Sequence, residues 1–510
     1  MEISKNVSNE TAQVRSEICN ADTMREFYFR PENAHIVLHG EKQILVAAKS
    51  MSLFVLDEVA EAILSYANDH PHLAMPEVVS TFAARFSFDD IAETIAELVR
   101  LHVFVRQQPQ SSPIRPLVDV ERFPLGSLVL NVANKCNLHC TYCYEPEGAK
   151  YSAAAVQMDW DTARESVDFL FRRAGGNRDV SIVFFGGEAL LNFPLLQKVV
   201  AYAEEQGHVY GKNVDFSLTT NATLLSDVFV DFFHAHRIGI TISIDGPQDL
   251  HDKRRVFLTS HGQKRGSYEQ IVPRLRRLFE RYNARPVVAR VTLTKGTVEI
   301  PRIYAHLTEL GFFEVGFSPV TARTGDEYGL EPADLRQVLA GFKELGALYV
   351  ERGLRNQYTG FSNLSTMLTD LHTGTNKLFP CGAGLGLLDV DGNGDIYLCH
   401  RFPGTEEHKY GNVKEGIAYD RLNEFLNNAH VGCKPVCQTC WIRGLCGGGC
   451  YHEAYTQFGD GALPNLHYCE FLREWTEYGI RVYMELQEKN PGFVETRVLR
   501  GRGDAPRELT

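Results

Sequence analysis

Three cysteines in one short run are the residues whose type and spacing most directly indicate chemistry. Cys136, Cys140 and Cys143 lie in NVANKCNLHCTYCYE, a C-x3-C-x2-C pattern that directly follows an apolar, strand-like stretch. Three thiolates this close together can bind three irons of a 4Fe–4S cluster and leave the fourth iron without a protein ligand. Zinc sites and redox-active cysteine pairs use similar spacings, so zinc is an alternative for this run taken alone.

A larger set of cysteines lies towards the carboxyl terminus. Its pattern is Cys381-x12-Gly394-x4-Cys399, a gap, Cys437-x2-Cys440-x5-Cys446-x3-Cys450, a second gap and Cys469. Cys433 and Cys19 complete the 12 cysteines of the chain. Because these cysteines form tight motifs in a chain of 510 residues, the sequence does not fit a small scaffold held together by disulfides.

The elements that must position the first cysteine run alternate between strands and helices. Apolar patterns predict six strands, at residues 127–132, 181–185, 215–219, 239–244, 287–293 and 314–318, with helical spacing between them. Six β-α units predict an α/β fold with a parallel sheet that closes into a partial barrel and binds ligands at the carboxyl ends of its strands. The cysteine run follows the first strand, and Gly186, Gly187 and Glu188 follow the second.

These features resemble the radical S-adenosylmethionine (SAM) enzymes. In that family the cluster motif is C-x3-C-x2-C with an aromatic residue before the last cysteine, here Tyr142, and a GGE motif follows the second strand. The resemblance implies that the open iron binds SAM and passes it one electron, and that the resulting 5′-deoxyadenosyl radical takes a hydrogen from a substrate. It also implies that the GGE motif contacts the amino group of SAM.

Further candidates for contacts with SAM lie at the ends of the later strands. They are Thr220 and Asn221 after the third strand, Ser243 and Asp245 at the end of the fourth, and Arg290 in the fifth. Each of them taken alone could be an ordinary polar residue of the barrel rim. Tyr142 of the cluster motif is a candidate as well. A basic run over residues 252–268 is either a solvated loop or, by resemblance, an HD-x2-R segment with a GSY triplet that shapes the SAM side of the barrel.

The seven-cysteine pattern resembles the SPASM domain, which occurs in radical SAM enzymes that modify peptides and proteins. By this resemblance, auxiliary cluster I is bound by Cys381, Cys399 and Cys450. Auxiliary cluster II is bound by Cys437, Cys440, Cys446 and Cys469. Cys433 is a candidate for the fourth ligand of cluster I, and the implied cofactors are three 4Fe–4S clusters and SAM.

Residues 25–106 predict a small module ahead of the barrel. Short strands with a turn at Gly40-Glu41 are followed by a predicted helical face made of Leu53, Leu56, Ala60, Ile63 and Leu64. Two more helices are expected to begin near Pro76 and Asp89. The layout resembles the winged-helix recognition element of peptide maturases (the RiPP recognition element), which binds a peptide as an added strand. A DNA-binding winged helix has a similar layout, but the acidic residues on these helices would repel phosphate.

The predicted organisation has seven parts: a flexible amino terminus (1–24), the recognition module (25–106), a linker (107–122), the radical SAM core (123–330), a bridging helical segment (331–378), the SPASM domain (379–475) and a carboxyl-terminal helix and tail (476–510). The formal net charge of −12 argues against nucleic acid as a partner. The chain opens with a polar stretch and contains no apolar run long enough to span a bilayer, so we expect a cytoplasmic enzyme without a membrane partner.

The sequence therefore predicts a radical SAM/SPASM enzyme that modifies a ribosomal peptide or small protein. The segment Cys399-His400-Arg401-Phe402 resembles the thioether-forming maturases, in particular the kind that joins cysteine sulfur to aspartate or glutamate carbon in the small subunit of quinohemoprotein amine dehydrogenase. The implied partners are a substrate with cysteine and acidic residues and an electron donor such as flavodoxin or ferredoxin. The alternatives are a sulfatase-type maturase, which forms formylglycine, and a non-catalytic iron–sulfur electron carrier. No residue is assigned as the catalytic base.

Overall fold

The computed structural model describes residues 26–106, 118–144 and 156–499. The predicted amino-terminal segment (1–24) and most of the predicted linker (107–122) lie outside these ranges. Within them, no helix is both long and apolar enough to cross a membrane.

Residues 26–106 form a module with a hydrophobic core of its own. Its strands are β1 (Glu26–Phe29), β2 (Ala34–His39), β3 (Lys42–Ala47), β4 (Ser52–Val55), β5 (His72–Ala74) and β6 (Phe104–Val105), and its helices are α1 (Glu58–Asp69), α2 (Met75–Phe82) and α3 (Phe88–Arg100). The strands pair in the orders β2-β3-β4 and β5-β1-β6. The predicted turn at Gly40 connects β2 to β3, and the two predicted later helices are confirmed.

The predicted helical face was wrong at its beginning. Leu53 lies in β4 opposite Val46, and α1 begins only after Asp57, whose carboxylate accepts a hydrogen bond from the Ala60 amide at 2.9 Å. Phe54 and Val55 favour extended backbone, so the hairpin continues where an apolar helical pattern was expected to start. Ala60, Ile63 and Leu64 do lie buried on α1, as predicted.

Strand β3 connects the module to the rest of the molecule because it is buried on both faces. Leu45 and Ala47 belong to the core of the module. Ile44 and Val46, which point to the opposite face, belong to the core of the main body. The module is therefore packed firmly against its neighbours.

A ten-stranded mixed sheet forms the centre of the main body, in the order β14-β13-β10-β9-β8-β7-β15-β16-β17-β18. The strands are β7 (Ser127–Ala133), β8 (Asp179–Gly186), β9 (Asn213–Thr220), β10 (Gly239–Ser243), β13 (Val287–Leu293), β14 (Glu314–Pro319), β15 (Leu387–Val390), β16 (Asp395–Tyr397), β17 (Lys409–Asn412) and β18 (Gly416–Ile417). A separate hairpin consists of β11 (Val256–Leu258) and β12 (Lys264–Gly266). All six predicted strands are confirmed, and they are parallel neighbours in chain order.

Helices connect the parallel strands and then surround the cysteine-rich region. They are α4 (Trp160–Arg173), α5 (Phe193–Tyr210), α6 (Asp227–Ala235), α7 (Gln248–His251), α8 (Tyr268–Arg281), α9 (Ile300–Leu310), α10 (Pro332–Gly353), α11 (Ser362–Thr373), α12 (Tyr419–Ala429), α13 (Pro435–Gln438), α14 (Arg443–Cys446), α15 (Tyr451–Phe458) and α16 (Cys469–Lys489). Helix α16 begins at Cys469, earlier than the predicted boundary at residue 476. Because the six strands are parallel, the loops that carry the cysteine run, the GGE motif and Asp245 leave the same edge of the sheet.

Candidate functional site

The glycine pair after β8 lies directly against the cysteine loop, residues 134–144. The Gly187 amide donates to the Ala133 carbonyl at 2.7 Å, and the Glu188 amide donates to the Lys135 carbonyl at 2.9 Å. A Cβ atom on Gly187 would lie 2.4 Å from the Lys135 oxygen and 2.9 Å from the Cys136 nitrogen. Gly186 has a φ of 138°, and a Cβ there would lie 2.3 Å from the Ala133 oxygen. Only glycine permits this close approach, so the pair sets the position of the cysteine loop.

Glu188 joins the ends of β8 and β9. Its carboxylate, which is 2% exposed, accepts hydrogen bonds from the Thr220 hydroxyl at 2.7 Å, the Asn221 amide at 2.8 Å and the Leu190 amide at 3.1 Å. Burial raises the pKa of Glu188, while these donors favour the ionised form and oppose the rise. Three predicted site residues, Glu188, Thr220 and Asn221, are thus brought together.

The same group of residues reaches the first cysteine. The Asn221 side-chain amide donates to the Cys136 sulfur at 3.9 Å and to the Asn137 side-chain oxygen at 3.0 Å. The Leu138 backbone amide donates to the same sulfur at 3.4 Å. N–H groups directed at a sulfur stabilise its thiolate form, which is the form that binds metal.

Asp245 anchors the other side of the cysteine loop. One of its oxygens accepts from the Tyr142 hydroxyl at 2.7 Å and from Arg255 Nε at 3.0 Å, and the other accepts from the Thr292 amide at 3.0 Å. Burial opposes the charge on Arg255, but Asp245, Tyr142 and Cys140 outweigh it and raise the pKa of Arg255. Burial likewise raises the pKa of Tyr142 well above its usual value. The arrangement is a buried ion pair that fixes the loop through Tyr142.

The segment that follows β10 holds the cysteine loop as well. The His139 amide donates to the Val256 carbonyl at 2.7 Å, and the Thr141 amide donates to the Arg254 carbonyl at 2.9 Å. The buried His251 ring contacts the Asp245 amide at 3.3 Å and the Ser267 hydroxyl at 2.9 Å, and burial lowers its pKa to about 3. The segment is therefore more than a solvated loop. The sequence analysis did not identify Arg255 and His251 as site residues, although they are the last and first residues of the HD-x2-R pattern.

Ser243 and Arg290 are neighbours in register on adjacent strands. The Arg290 side chain reaches solvent, yet protein surrounds it closely enough that burial, and next the charge of Arg401, lowers its pKa. Within the described ranges no carboxylate forms an ion pair with this guanidinium. A carboxylate ligand at this edge of the sheet would neutralise it.

The second group of cysteines surrounds a cavity of about 90 Å³. The cysteines that line it are Cys437, Cys440, Cys446, Cys450 and Cys469. They include all four residues predicted to bind auxiliary cluster II, together with Cys450, which was predicted to bind cluster I. Gly447, Gly448 and Gly449 have φ values of 65°, 93° and 87°, and the last two direct their amides at the Cys446 sulfur. Successive amides of this kind form a concave site for a negatively charged group.

The remaining predicted ligands lie beside Tyr451. Burial raises the pKa of Tyr451, and Cys381, Cys450 and Cys399 add to the rise, which places all three thiols near this ring. Backbone amides donate to each sulfur: Ala383 to Cys381, Arg401 to Cys399, and His452 and Glu453 to Cys450. Cys433 lies in the turn Val431–Cys433 and does not line the cavity, so its role as a fourth ligand stays a prediction.

These cysteine groups fit iron–sulfur clusters. Among the described residues, no three His, Cys, Asp or Glu side chains converge on a point where they could hold one metal ion. A structural zinc ion needs such convergence, whereas each thiolate of a 4Fe–4S cluster binds a different iron. Thiols spread around a cavity, with amides directed at their sulfurs, suit the larger group.

The module of residues 26–106 contacts the loop between Cys440 and Cys446. The Trp441 ring stacks on His35, with centroids 3.9 Å apart and planes 9° apart. The Arg443 guanidinium donates to the Glu32 carbonyl at 3.0 Å, to the Asn33 side chain, and to the Cys440 carbonyl at 3.1 Å. The module and the loop of the second cysteine group are thereby directly connected.

Comparisons with known proteins agree with this geometry. Residues 130–304 match the radical SAM superfamily. The chain is 23% identical over 370 residues to a cysteine-type anaerobic sulfatase-maturating enzyme of Clostridium novyi, covering 70% of this chain and 95% of the relative. It is 24% identical over 395 residues to a serine-type anaerobic sulfatase-maturating enzyme of Bacteroides thetaiotaomicron, covering 72% of this chain and 92% of the relative. The solved structure of native anSMEcpe with bound AdoMet and Cp18Cys peptide shares the fold, with a TM-score of 0.60 and 21% identity over 72% of this chain and 99% of that chain.

The predictions of a radical SAM domain and of an α/β fold are confirmed, and the domain match supports the prediction of SAM and iron–sulfur clusters as cofactors. The relatives reported above are sulfatase-maturating enzymes, so the comparisons give no support for a specific likeness to the quinohemoprotein type of maturase. About 30% of this chain lies outside the part that aligns with the Clostridium novyi relative.

Proposed function

We propose that this chain is a radical SAM enzyme that oxidises a side chain of a peptide or small protein, with sulfatase-type maturation as the first candidate reaction. In that reaction a cysteine or serine of the substrate becomes formylglycine. Relatives of both the cysteine type and the serine type align over nearly their whole length, which supports this choice over the thioether reaction expected from the sequence. The observation that carries the proposal is the cysteine loop, held by Gly187, Glu188 and Asp245 at the carboxyl ends of parallel strands.

The residues of this site have separate proposed roles. Cys136, Cys140 and Cys143 bind the cluster that, with SAM, supplies the 5′-deoxyadenosyl radical. Arg290 neutralises the carboxylate of SAM and Ser243 lies beside it, since the two are neighbours in register.

Glu188 accepts three hydrogen bonds in this structure, and a carboxylate has about four acceptor positions. One position is therefore left for the amino group of SAM. Thr220 and Asn221 remain candidates for the ribose. Asp245 and Tyr142 are proposed to hold the loop in place, because the Asp245 carboxylate accepts the Tyr142 hydroxyl of the loop and pairs with Arg255.

Two further clusters complete the proposed set of three. Cys437, Cys440, Cys446 and Cys469 are proposed to bind auxiliary cluster II in their shared cavity. Cys381, Cys399 and Cys450 are proposed to bind auxiliary cluster I, with Cys433 as a possible fourth ligand. An external flavodoxin or ferredoxin is the proposed electron donor.

Thioether formation is the second candidate, and the module of residues 26–106 favours it. The module has its own core, and β4 is an edge strand of the sheet β2-β3-β4 in the described part of the chain. Val55 on β4 is 51% exposed, and the outer side of β2 is occupied by α16, where Arg481 donates to the Leu38 carbonyl at 3.0 Å. A winged-helix recognition element binds a peptide along such an edge. This use of the module suits an enzyme that crosslinks a leader-bearing peptide.

Mass spectrometry of the product separates the two reactions. The reduced enzyme is incubated anaerobically with SAM and either a sulfatase-derived peptide or a short cysteine- and acid-rich protein encoded next to it. Formylglycine carries an aldehyde that reacts with a hydrazide probe, whereas a thioether gives no aldehyde and removes a thiol from alkylation. Oxidation of serine and thioether formation both remove two hydrogens, so the probe and the fragment spectrum are needed beside the intact mass. If SAM is cleaved and both substrates stay unmodified, the proposed function is wrong for these substrate classes.

A further inference from the structure

Arg401 is a largely buried cation that contacts the cysteine loop and the end of the sheet. Its Nη1 atom donates to the Thr321 hydroxyl at 2.7 Å, and Thr321 follows β14. Its guanidinium carbon lies 5.8 Å from the centre of the Tyr144 ring, and Tyr144 follows Cys143 directly. One side of Arg401 therefore faces the proposed radical site.

The other side of Arg401 faces the proposed ligands of auxiliary cluster I. Its backbone amide donates to the thiol of Cys399, two residues earlier in the chain. An arginine guanidinium keeps its positive charge at every physiological pH. The Glu453 carboxylate lies 3.9 Å away, beyond hydrogen-bond distance, and accepts a hydrogen bond from Asn465 at 2.8 Å instead. The Arg401 side chain is thus a cation between the proposed radical site and the proposed ligands of auxiliary cluster I.

Both candidate reactions require an electron acceptor close to the substrate. When the 5′-deoxyadenosyl radical takes a hydrogen atom, 5′-deoxyadenosine forms and a carbon radical is left on the substrate. That radical must lose one electron, and the substrate one proton, before the new double bond or carbon–sulfur bond gives a closed-shell product. A cluster that accepts the electron becomes more negative by one charge. A fixed cation in a poorly solvated place stabilises the more negative state and so raises the reduction potential of the cluster.

We propose that Arg401 sets the reduction potential of auxiliary cluster I, so that this cluster accepts the electron released by the substrate radical. Arg401 is therefore a positioning residue, because its charge affects the reaction only through the reduction potential of the cluster. The inference rests on the proposed radical chemistry, but its test needs neither substrate nor turnover.

The test is a redox titration, followed by electron paramagnetic resonance, of the reconstituted full-length chain. The Cys136→Ala, Cys140→Ala, Cys143→Ala background removes the radical cluster, so the signals report the auxiliary clusters. In this background Arg401→Gln should move one midpoint potential to a more negative value and leave the other in place. Arg401→Lys keeps the charge and should restore most of the shift. Arg421→Gln is the matched control, since Arg421 is a cation of the same domain that lies over the Tyr410 ring, 5.9 Å from its centre.

The result that overturns the proposal is an Arg401→Gln protein that retains its iron and has both midpoint potentials unchanged. Equal shifts of both potentials would overturn it too, since they would indicate a general structural change. If Arg401→Gln fails to retain cluster I, Thr321→Val replaces it, because this variant removes only the hydrogen bond that fixes the guanidinium. A smaller negative shift of the same potential supports the proposal, and no shift contradicts it. A shifted potential in a protein that modifies no peptide would overturn the proposed function and leave the role of Arg401 intact.

Discussion

Replacing Gly187 by alanine should displace the cysteine loop and abolish binding of the radical cluster. The added Cβ would lie 2.4 Å from the Lys135 oxygen, whereas ordinary contact begins at 3.4 Å, so the backbone of the loop must move by about 1 Å. The atoms that it meets belong to backbone, which cannot rotate out of the way as a side chain can. Overpacking of this kind costs about 1–3 kcal/mol, enough to shift the loop without unfolding the protein.

Iron content and SAM cleavage measure this effect. Gly187→Ala should lose about one third of the iron of a three-cluster enzyme and form no 5′-deoxyadenosine under reducing conditions, while the auxiliary clusters remain. Gly176→Ala is the control, because nothing lies within 4 Å of a Cβ at that position. A Gly187→Ala protein with full iron content and normal SAM cleavage would show that the close approach of the two loops does not position the cluster.

Three further changes test other parts of the account. Arg255→Met leaves Asp245 buried without its cationic partner and should lower the free energy of unfolding by about 3–5 kcal/mol in a denaturant titration. Arg281→Met removes a more exposed pair with Asp231 and should change the free energy of unfolding little. Equal effects of the two variants would contradict the anchoring role of Arg255. His251 has a pKa of about 3 in the folded chain and about 6.5 when unfolded, so the unfolded state binds more protons between these values and stability falls as the pH falls. Denaturant titrations at pH 7 and pH 5 should therefore show a loss of about 2 kcal/mol from this residue that His251→Gln lacks, and identical pH profiles would refute the assignment. Val55→Lys places a charge on the exposed edge strand β4 and should leave SAM cleavage without substrate unchanged but weaken peptide capture in calorimetry, and unchanged peptide affinity would leave the module a purely structural role.

The sequence predicted those elements of the structure that depend on residues close together in the chain. The six parallel strands follow from short apolar runs between turn residues, and the cysteine run and GGE motif follow from spacing alone. The helical assignment of Leu53 failed because a repeat of apolar residues fits both a helix and the last strand of a hairpin. The deciding signal was the cap at Asp57, which marks the actual beginning of α1.

Contacts between distant parts of the chain were not predictable from one sequence. The hydroxyl of Tyr142 donates to Asp245, 103 residues away in the chain, and no local pattern indicated this pairing. The sequence identified Arg401 only as a member of the CHRF segment and predicted no role for it. Its position between Thr321 and Tyr144 depends on how the cysteine-rich region packs on the sheet. The stacking of His35 on Trp441 likewise depends on how the module of residues 26–106 packs against the cysteine-rich region.

The central claim is that Cys136, Cys140 and Cys143 hold an iron–sulfur cluster that cleaves SAM. Its most direct test is anaerobic reduction of the reconstituted enzyme with SAM, followed by chromatographic detection of 5′-deoxyadenosine. The wild-type chain should form this product, and the variant with all three cysteines replaced by alanine should form none while keeping the visible absorption of its auxiliary clusters. Formation of 5′-deoxyadenosine by the triple variant, or its absence from the fully loaded wild type, would contradict the account.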